Sequence, residues 1–329
     1  MALKIGLNGF GRIGRYLVRL LHNDSKFEIA VINARASNED LARLLKYDSV
    51  HGTCTFDVGY DDNGLVIGGK SVPVTRNAPA DWNWGAYGCD MVVESTGKFV
   101  DRQSCEKHLA TGVKKVVISA PGKDADVTIV TGVNSGDYDP AKHCIISNAS
   151  CTTNCLAPVA KLVNDGFGIK HGLMTTIHAY TMSQRILDGS HKDPRRARAA
   201  CMSMIPTTTG AARAVTMVIP ELKGKLDGMA VRVPTPDVSI VDLVLELEKP
   251  TTTEELNDML RKNANEHMGF SDEPLVSIDY TGDTHGGVID GLTTSVINGT
   301  MAKLLIWYDN EAGFTNQLVR LIRLVGKDI

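Results

Sequence analysis

Six residues near the start of the chain, Gly9-Phe10-Gly11-Arg12-Ile13-Gly14, constrain the fold more than any other segment. They follow an apolar run, Leu3–Leu7, and lead into a helical pattern over Arg12–His22 with Ile13, Leu17, Leu20 and Leu21 on one side. Gly9 allows a tight turn, Gly11 lets a pyrophosphate approach the backbone, and Gly14 lets helix and strand pack closely. The helix start offers unpaired N–H groups and a partial positive charge to the phosphates. Glycines so spaced also serve ordinary turns. The strand–turn–helix setting is what points to a dinucleotide.

The rest of the first 150 residues keeps this alternation. Glu28–Asn33, Asp90–Glu94, Lys115–Ser119 and His143–Ser147 read as strands. Asn38–Lys46, with Ser37 or Asn38 as N-cap, and Arg102–Thr111 read as helices. Alternating strands and helices imply a parallel sheet with right-handed crossovers. Cys54–Val74, rich in Gly, Asp and β-formers, reads as a hairpin insertion. After residue 170 the style changes. Val241, Leu243, Leu245 and Leu247 alternate with more polar neighbours, as in an antiparallel sheet with one buried face. Gly172–His178, Leu226–Val233 and Lys303–Trp307 are further strands, Thr253–Glu266 is an amphipathic helix, and Phe314–Val325 is a terminal helix. The expected fold is α/β. A Rossmann-type parallel-sheet domain covers 1–150, an α+β domain with a mainly antiparallel sheet covers 151–313, and the helix of 314–329 packs back on the first domain.

Composition narrows the function classes. The 329 residues carry a net charge of −3, so neither a nucleic-acid tail nor a membrane-surface patch is expected. No apolar run reaches the roughly 18 residues of a membrane span. The N-terminus runs directly into a strand, without a signal-peptide layout. Seven cysteines, an odd number, fit free thiols in a reducing cytoplasm. No Cys/His cluster has zinc spacing, so no metal is expected.

The second strand ends Val31-Ile32-Asn33-Ala34-Arg35, where a dinucleotide fold commonly places a carboxylate for the ribose 2′-hydroxyl. A carboxylate would repel a 2′-phosphate; Ala34 with Arg35 beside it would not. The cofactor is therefore read as NADP or NAD, tilted toward NADP.

A second informative stretch, Ser147–Cys155, follows a strand and opens a helix continuing through Leu156, Val159 and Leu162. Cys151 falls at that helix start, where the macrodipole favours thiolate. Ser150 and Thr152 flank it with hydroxyls and N–H groups suited to an anion. Cys155, one turn on, reads as a packed, inert thiol. A base should accompany such a cysteine. Among nine histidines the best placed is His178, which ends an apolar strand before a polar loop.

With these residues in view, the chain resembles phosphorylating glyceraldehyde-3-phosphate dehydrogenases along essentially its whole length. The carrying segments are Asn8–Arg15, Leu45–Gly52, Ser147–Cys155, Arg195–Ala200, Thr209–Ala212, Arg232–Thr235 and Trp307–Glu311. The resemblance implies a cytoplasmic homotetramer. Cys151 attacks an aldehyde, His178 takes the hydroxyl proton, hydride passes to the dinucleotide, and inorganic phosphate cleaves the thioester. The Cys151 N–H would stabilise an oxyanion. Thr181 and Arg232, with Ser183 nearby, match a site for the substrate's phosphate. Ser150, Thr152, Thr209 and Gly210 match one for the attacking phosphate, with Arg196 helping either. Arg12, Ile13, Arg76, Ser119 and Asn310 match cofactor contacts. Strand parity places Arg232 opposite Val231 and Val233, so it is expected to point away from the side they bury.

The chain also departs from the family pattern. Ala34 stands in place of the usual Asp. Gly189-Ser190 replace Leu-Pro, and Ser190 again leans toward NADP. Met182-Ser183 replace Asn-Asp or Ala-Thr, and Ile306 replaces a common Ser. The long aperiodic stretch Tyr180–Met204 reads as functional or interfacial, and the resemblance implies that it, with Arg195, Arg196 and Arg198, forms a subunit interface. Two other readings stay open: an erythrose-4-phosphate dehydrogenase, whose thioester goes to water, and a non-enzymatic binding or regulatory protein.

Overall fold

The computed structural model describes residues 2–329, and every count below refers to those residues. The chain divides into two compact units. The first takes residues up to Ile129, Asn134–Ala149 and Leu318–Ile329; the second takes Val130–Val133 and Ser150–Gln317.

The first unit opens with β1 (Leu3–Asn8), α1 (Arg12–Leu21), β2 (Phe27–Asn33), α2 (Asn38–Lys46), β3 (Tyr47–Asp48) and β4 (Gly52–Thr53). It continues with β5 (Val58–Tyr60), β6 (Gly64–Ile67), β7 (Lys70–Thr75), β8 (Met91–Glu94), α3 (Arg102–Leu109), β9 (Lys115–Ile118), β10 (Val127–Thr128) and β11 (Ile145–Ser147). Nine strands form one sheet in the order β10-β11-β9-β8-β1-β2-β7-β6-β5. Pairings among β11, β9, β8, β1, β2 and β7 are all parallel. The expected hairpin at 54–74 is instead a three-strand antiparallel meander whose last strand, β7, joins β2 in parallel. Val72 and Val74 explain the docking, since their alternation puts both side chains into the core.

Local chemistry sets the helix starts. The Ser37 hydroxyl accepts from Asp40 N at the head of α2, and Asp101 accepts from Ser104 N at the head of α3. Each such cap contributes about 1 kcal/mol. Ile5, Leu7, Leu17, Ile32 and Leu45 form the core together with Leu318, Leu321, Ile322 and Val325 of the last helix.

The second unit runs α4 (Cys151–Phe167), β12 (Ile169–Ala179), β13 (Ile205–Thr208), α5 (Ala211–Val218), β14 (Leu226–Val233), β15 (Ser239–Leu247) and α6 (Thr253–Lys262). It ends with β16 (Met268–Ser271), β17 (Gly287–Asp290), β18 (Ser295–Ile297), β19 (Met301–Tyr308) and the start of α7 (Ala312–Gly326). The sheet order is β13-β14-β12-β15-β19-β17-β16, with β18 against β19. Most pairs are antiparallel, but β12 runs parallel to β14 and β16 to β17. The inner face carries Val241, Leu243, Leu245 and Leu247, all fully buried. The other face leaves Leu173 67% and Met229 42% exposed. Several helix ends differ from the sequence reading; α1 stops at Leu21 and α3 at Leu109. α6 stops at Lys262, capped by Asn263. α7 starts two residues early because Asp309 accepts from the N–H groups of Glu311 and Ala312. Among the described residues, no helix is long and apolar enough to cross a membrane.

Asp309 has a buried neighbour. Asp237 is 4% exposed, and burial, together with the Asp309 and Glu311 charges, pushes its carboxyl far above the ordinary range. The folded chain thus holds a proton there that the unfolded chain releases near the ordinary carboxylate value. The resulting stability is complete at acid pH and is lost as pH climbs through the raised value. Asp237→Asn, which keeps a donor without the titration, should melt above the wild type at about pH 9, with the difference shrinking steadily and closing only near about pH 4. Parallel melting curves across that range would refute the assignment.

Candidate active site

Three features turn the chain from β11 into a nucleophile site. Ala149 is fully buried with φ +56°, a left-handed conformation unusual for alanine, and it redirects the backbone after the strand. Ser150 follows in extended conformation, and its Oγ accepts from Thr153 N at 3.1 Å. Cys151 is then the first residue of α4. The helix position favours a thiolate, but burial has the larger effect and pushes the thiol above its ordinary value. The Arg232 guanidinium and hydrogen bonds from Thr152 oppose that rise.

His178 stands where a base is needed, with Nε2 3.5 Å from Cys151 Sγ. The parallel register of β12 and β14 sets His178 beside Arg232. Arg232 Nη1 lies 2.7 Å from His178 Nδ1 and 2.9 Å from the Ala179 carbonyl. Burial and the Arg232 charge push the imidazole down to about 3, so the ring is neutral; Nδ1 lies 2.8 Å from the Ala179 carbonyl, which takes its N–H, and Nε2 is left to accept a proton. Strand parity correctly set Arg232 opposite Val231 and Val233, but the covered side is the reverse of the expectation. Leu226 and Ala230 share the buried face with Arg232, while Met229, Val231 and Val233 line the more open one. Arg232 therefore points inward, to the thiol.

The hydroxyl residues divide into groups. Thr181 Oγ1 and Ser183 Oγ are 2.9 Å apart, and Arg196 Nη1 reaches Ser183 at 3.5 Å. Arg196 Nε donates to Thr207, which donates to Asp193. Thr209 Oγ1 accepts from Ala211 N, and Gly210 is the N-cap of α5. The Thr152 hydroxyl, expected beside Ser150 at an anion pocket, is instead buried at 2.9 Å from Tyr308 Oη. Tyr308 also meets Thr176 Oγ1 at 2.8 Å and stands edge-on to His178. The sequence reading missed Tyr308 and Thr176. The alternation Ala302, Leu304, Ile306, Tyr308 along β19, all buried, is the signal that would have found the tyrosine. Ile306 packs over Gly287, and its carbonyl lies 3.8 Å from the buried Cys155 thiol. Its place is in the core.

Gly9, Gly11, Arg12, Ile13, Gly14, Arg35, Arg76 and Ser119 lie in the first unit, whereas Ser190 and Asn310 lie in the second. The glycines fit a dinucleotide cradle. Gly9 has φ +100°, and a Cβ there would meet Thr96 N at 2.8 Å. Nothing lies within 4 Å of a Cβ at Gly11, which leaves its backbone open to a bulky anion. A Cβ at Gly14 would meet Gly9 O at 2.4 Å. No side chain caps α1, so its first N–H groups face outward. Gly14→Ala should therefore lift α1 off β1, lowering the melting temperature by an overpacking cost of about 1–3 kcal/mol. It should also weaken dinucleotide binding measured by calorimetry. Unchanged affinity would show that the turn is not the cradle.

Around the cradle, Arg12 Nη1 is 2.5 Å from Asp48 Oδ2. Burial alone would raise the Asp48 carboxyl, but hydrogen bonds from His51 N, Arg12 and Val50 N outweigh it and hold it down to about 2. Ile13 packs against the core, and Ser119 N donates to the Glu94 carbonyl. At the end of β2, Ala34 is buried and Arg35 exposed. Arg76 Nη2 donates to Ala36 O and Asn38 Oδ1, both at 2.8 Å. In the second unit, the Ser190 carbonyl accepts from Arg185, and Asn310 Oδ1 accepts from Ser239.

Comparison with known proteins agrees with both halves of this geometry. The family described as "Glyceraldehyde 3-phosphate dehydrogenase, NAD binding domain" matches residues 3–102, and its "C-terminal domain" counterpart matches residues 150–310. Glyceraldehyde-3-phosphate dehydrogenase 1 of Bacillus cereus is 55% identical over 97% of this chain and 97% of its own length. The Geobacillus stearothermophilus enzyme is 55% identical over 98% of this chain and 97% of its own. The Streptomyces coelicolor enzyme is 49% identical over the full length of both. With a glycine cradle in one unit and a thiol–imidazole pair in the other, both covered by these matches, the chain belongs to the glyceraldehyde-3-phosphate dehydrogenase family.

Proposed function

We propose that this chain oxidises glyceraldehyde 3-phosphate to 1,3-bisphosphoglycerate, reversibly and with inorganic phosphate. The observation that carries the reading is Cys151 Sγ at the head of α4, 3.5 Å from His178 Nε2. His178 accepts the thiol proton, and Cys151 adds to the aldehyde carbon. The Cys151 N–H, in the first turn of α4, holds the developing oxyanion. His178 gives that proton to the oxyanion, forming the adduct's hydroxyl, and takes it back as hydride leaves the carbon. The bound nicotinamide supplies the hydride acceptor, and the carbon left on Cys151 is a thioester. Phosphate then attacks that carbon, and the thiolate leaves.

The inward direction of Arg232 supports its pairing with Thr181 and Ser183 at the substrate phosphate, close to the thiol. Ser150, Thr209 and Gly210 remain the residues for attacking phosphate, with Arg196 between the groups. The Thr152 hydroxyl is held by Tyr308, so its part falls to the backbone. Arg12, Ile13, Arg35, Arg76, Ser119, Ser190 and Asn310 complete the cofactor contacts. The absence of a carboxylate at Ala34, with Arg35 exposed beside it, favours NADP over NAD. Seven free cysteines fit a reducing cytoplasm. The second unit's open sheet face, and the exposed Met182, Ile186, Leu187, Met202 and Met204 of the 180–204 stretch, support a homotetramer.

Initial rates with NAD and NADP, each with and without phosphate, test this reading. Turnover should require phosphate or arsenate, and kcat/KM should be higher for NADP. Phosphate-independent release of the acid would favour the erythrose-4-phosphate reading, and a preference for NAD would overturn the cofactor assignment.

A further inference from the structure

Glu94, at the end of β8, is 1% exposed. Four donors converge on its carboxyl. Asn8 Nδ2 and His108 Nε2 face Oε2, while Thr96 N and Thr96 Oγ1 face Oε1. The His108 role follows from its other side. Trp84 Nε1–H, which can only donate, lies 2.8 Å from His108 Nδ1. Nδ1 therefore accepts, and Nε2 carries the ring proton toward Glu94. A carboxylate satisfies this set and a carboxamide cannot.

The chain of bonds continues outward with one polarity. Asn33 Nδ2 donates to Asn8 Oδ1 at 2.9 Å, and Thr75 Oγ1 donates to Asn33 Oδ1 at 2.9 Å. Asn77 N also donates to Asn33 Oδ1. Thr75 thus points to Asn33, Asn33 to Asn8 and Asn8 to Glu94, while Trp84 points to His108 and His108 to Glu94. The residues joined are the carboxyl ends of β7, β2, β1 and β8, where an open parallel sheet binds its ligand. Asn8 immediately precedes Gly9, and Asn33 immediately precedes Ala34. Ser95, next to Glu94, closes the clamp by donating from Oγ to the Gly9 carbonyl at 2.8 Å.

We propose that Glu94 is a positioning residue for dinucleotide binding. It fixes the amide orientation of Asn8, and through it that of Asn33, so that the phosphate turn and the ribose end of β2 are set together. Glu94 touches no reacting atom. Its effect is on cofactor affinity and not on the chemical step, and it rests on the dinucleotide reading of the Gly9–Gly14 turn.

The test compares Glu94→Gln with wild type by calorimetric titration of NAD and NADP, by steady-state kinetics and by Cys151 alkylation with iodoacetamide. The glutamine amide would set its own N–H groups against at least one of the four donors, either Thr96 N or the Asn8 and His108 pair. Dinucleotide Kd and KM should rise roughly tenfold to a hundredfold, the range of a hydrogen bond to a charged group. The kcat and the alkylation rate should stay within about threefold. If Glu94→Gln does not fold, Asn33→Ala decides, since it cuts the same chain at a half-buried position. Unchanged dinucleotide KM in the folded variant, or a loss confined to kcat, overturns the proposal. Failure of wild type to bind either dinucleotide would instead overturn the reading of the turn.

Discussion

Cys151→Ser should abolish turnover, with kcat falling on the order of 10⁴-fold or more, as for removal of a covalent nucleophile. The size of the loss follows from the electrostatics of the site. Burial already pushes the Cys151 thiol above its ordinary value, and only Arg232 and first-turn hydrogen bonds oppose it. A serine hydroxyl is a far weaker acid than a thiol, too weak for His178 to ionise. The fold should be indifferent to the change. Serine is nearly isosteric, and Ser150 still caps α4. Thermal melting and dinucleotide titration should match wild type while single-turnover oxidation disappears. A variant retaining a tenth of wild-type kcat would remove Cys151 from the mechanism.

Replacing His178 with Asn should lower kcat by about 10²–10⁴-fold, the range for loss of a positioned general base. The asparagine amide keeps a polar contact near Arg232 but cannot take a proton from Sγ. The thiol loses the acceptor 3.5 Å away, so its alkylation by iodoacetamide should need higher pH than in wild type. Both measurements together separate a base from a spacer. An unshifted alkylation profile with unchanged kcat would show that His178 only fills space.

The parts of this molecule legible in its sequence are those governed by local pattern. The glycine turn was legible because each glycine answers a separate steric demand, at 2.8 Å from Thr96 N and 2.4 Å from Gly9 O in two of the cases. The head of α4 was legible because a strand, a cap and an apolar helix follow one another. Arg232 was half legible. Alternation shows which residues share a face, not which face another layer covers. Apolar Val231 and Val233 suggested burial on a side that the chain leaves more open. Thr152 shows a signal passed over. It shares a helix stripe with Leu156, Val159 and Val163, all buried, so its hydroxyl had to turn inward. The Glu94 network lay beyond sequence reasoning, because Asn8, Asn33, Glu94 and His108 come from four separate elements that only the sheet order brings together.

The open face of the second unit's sheet has a consequence for measurement. Leu173 and Met229 stand there with much of their apolar surface in water. In a chain whose self-association covers that face, part of the folding free energy comes from assembly and obeys mass action. The melting temperature is then a function of protein concentration rather than a constant of the molecule. Variants of this chain are comparable only when melted at equal concentration, since dilution alone would mimic a destabilising substitution.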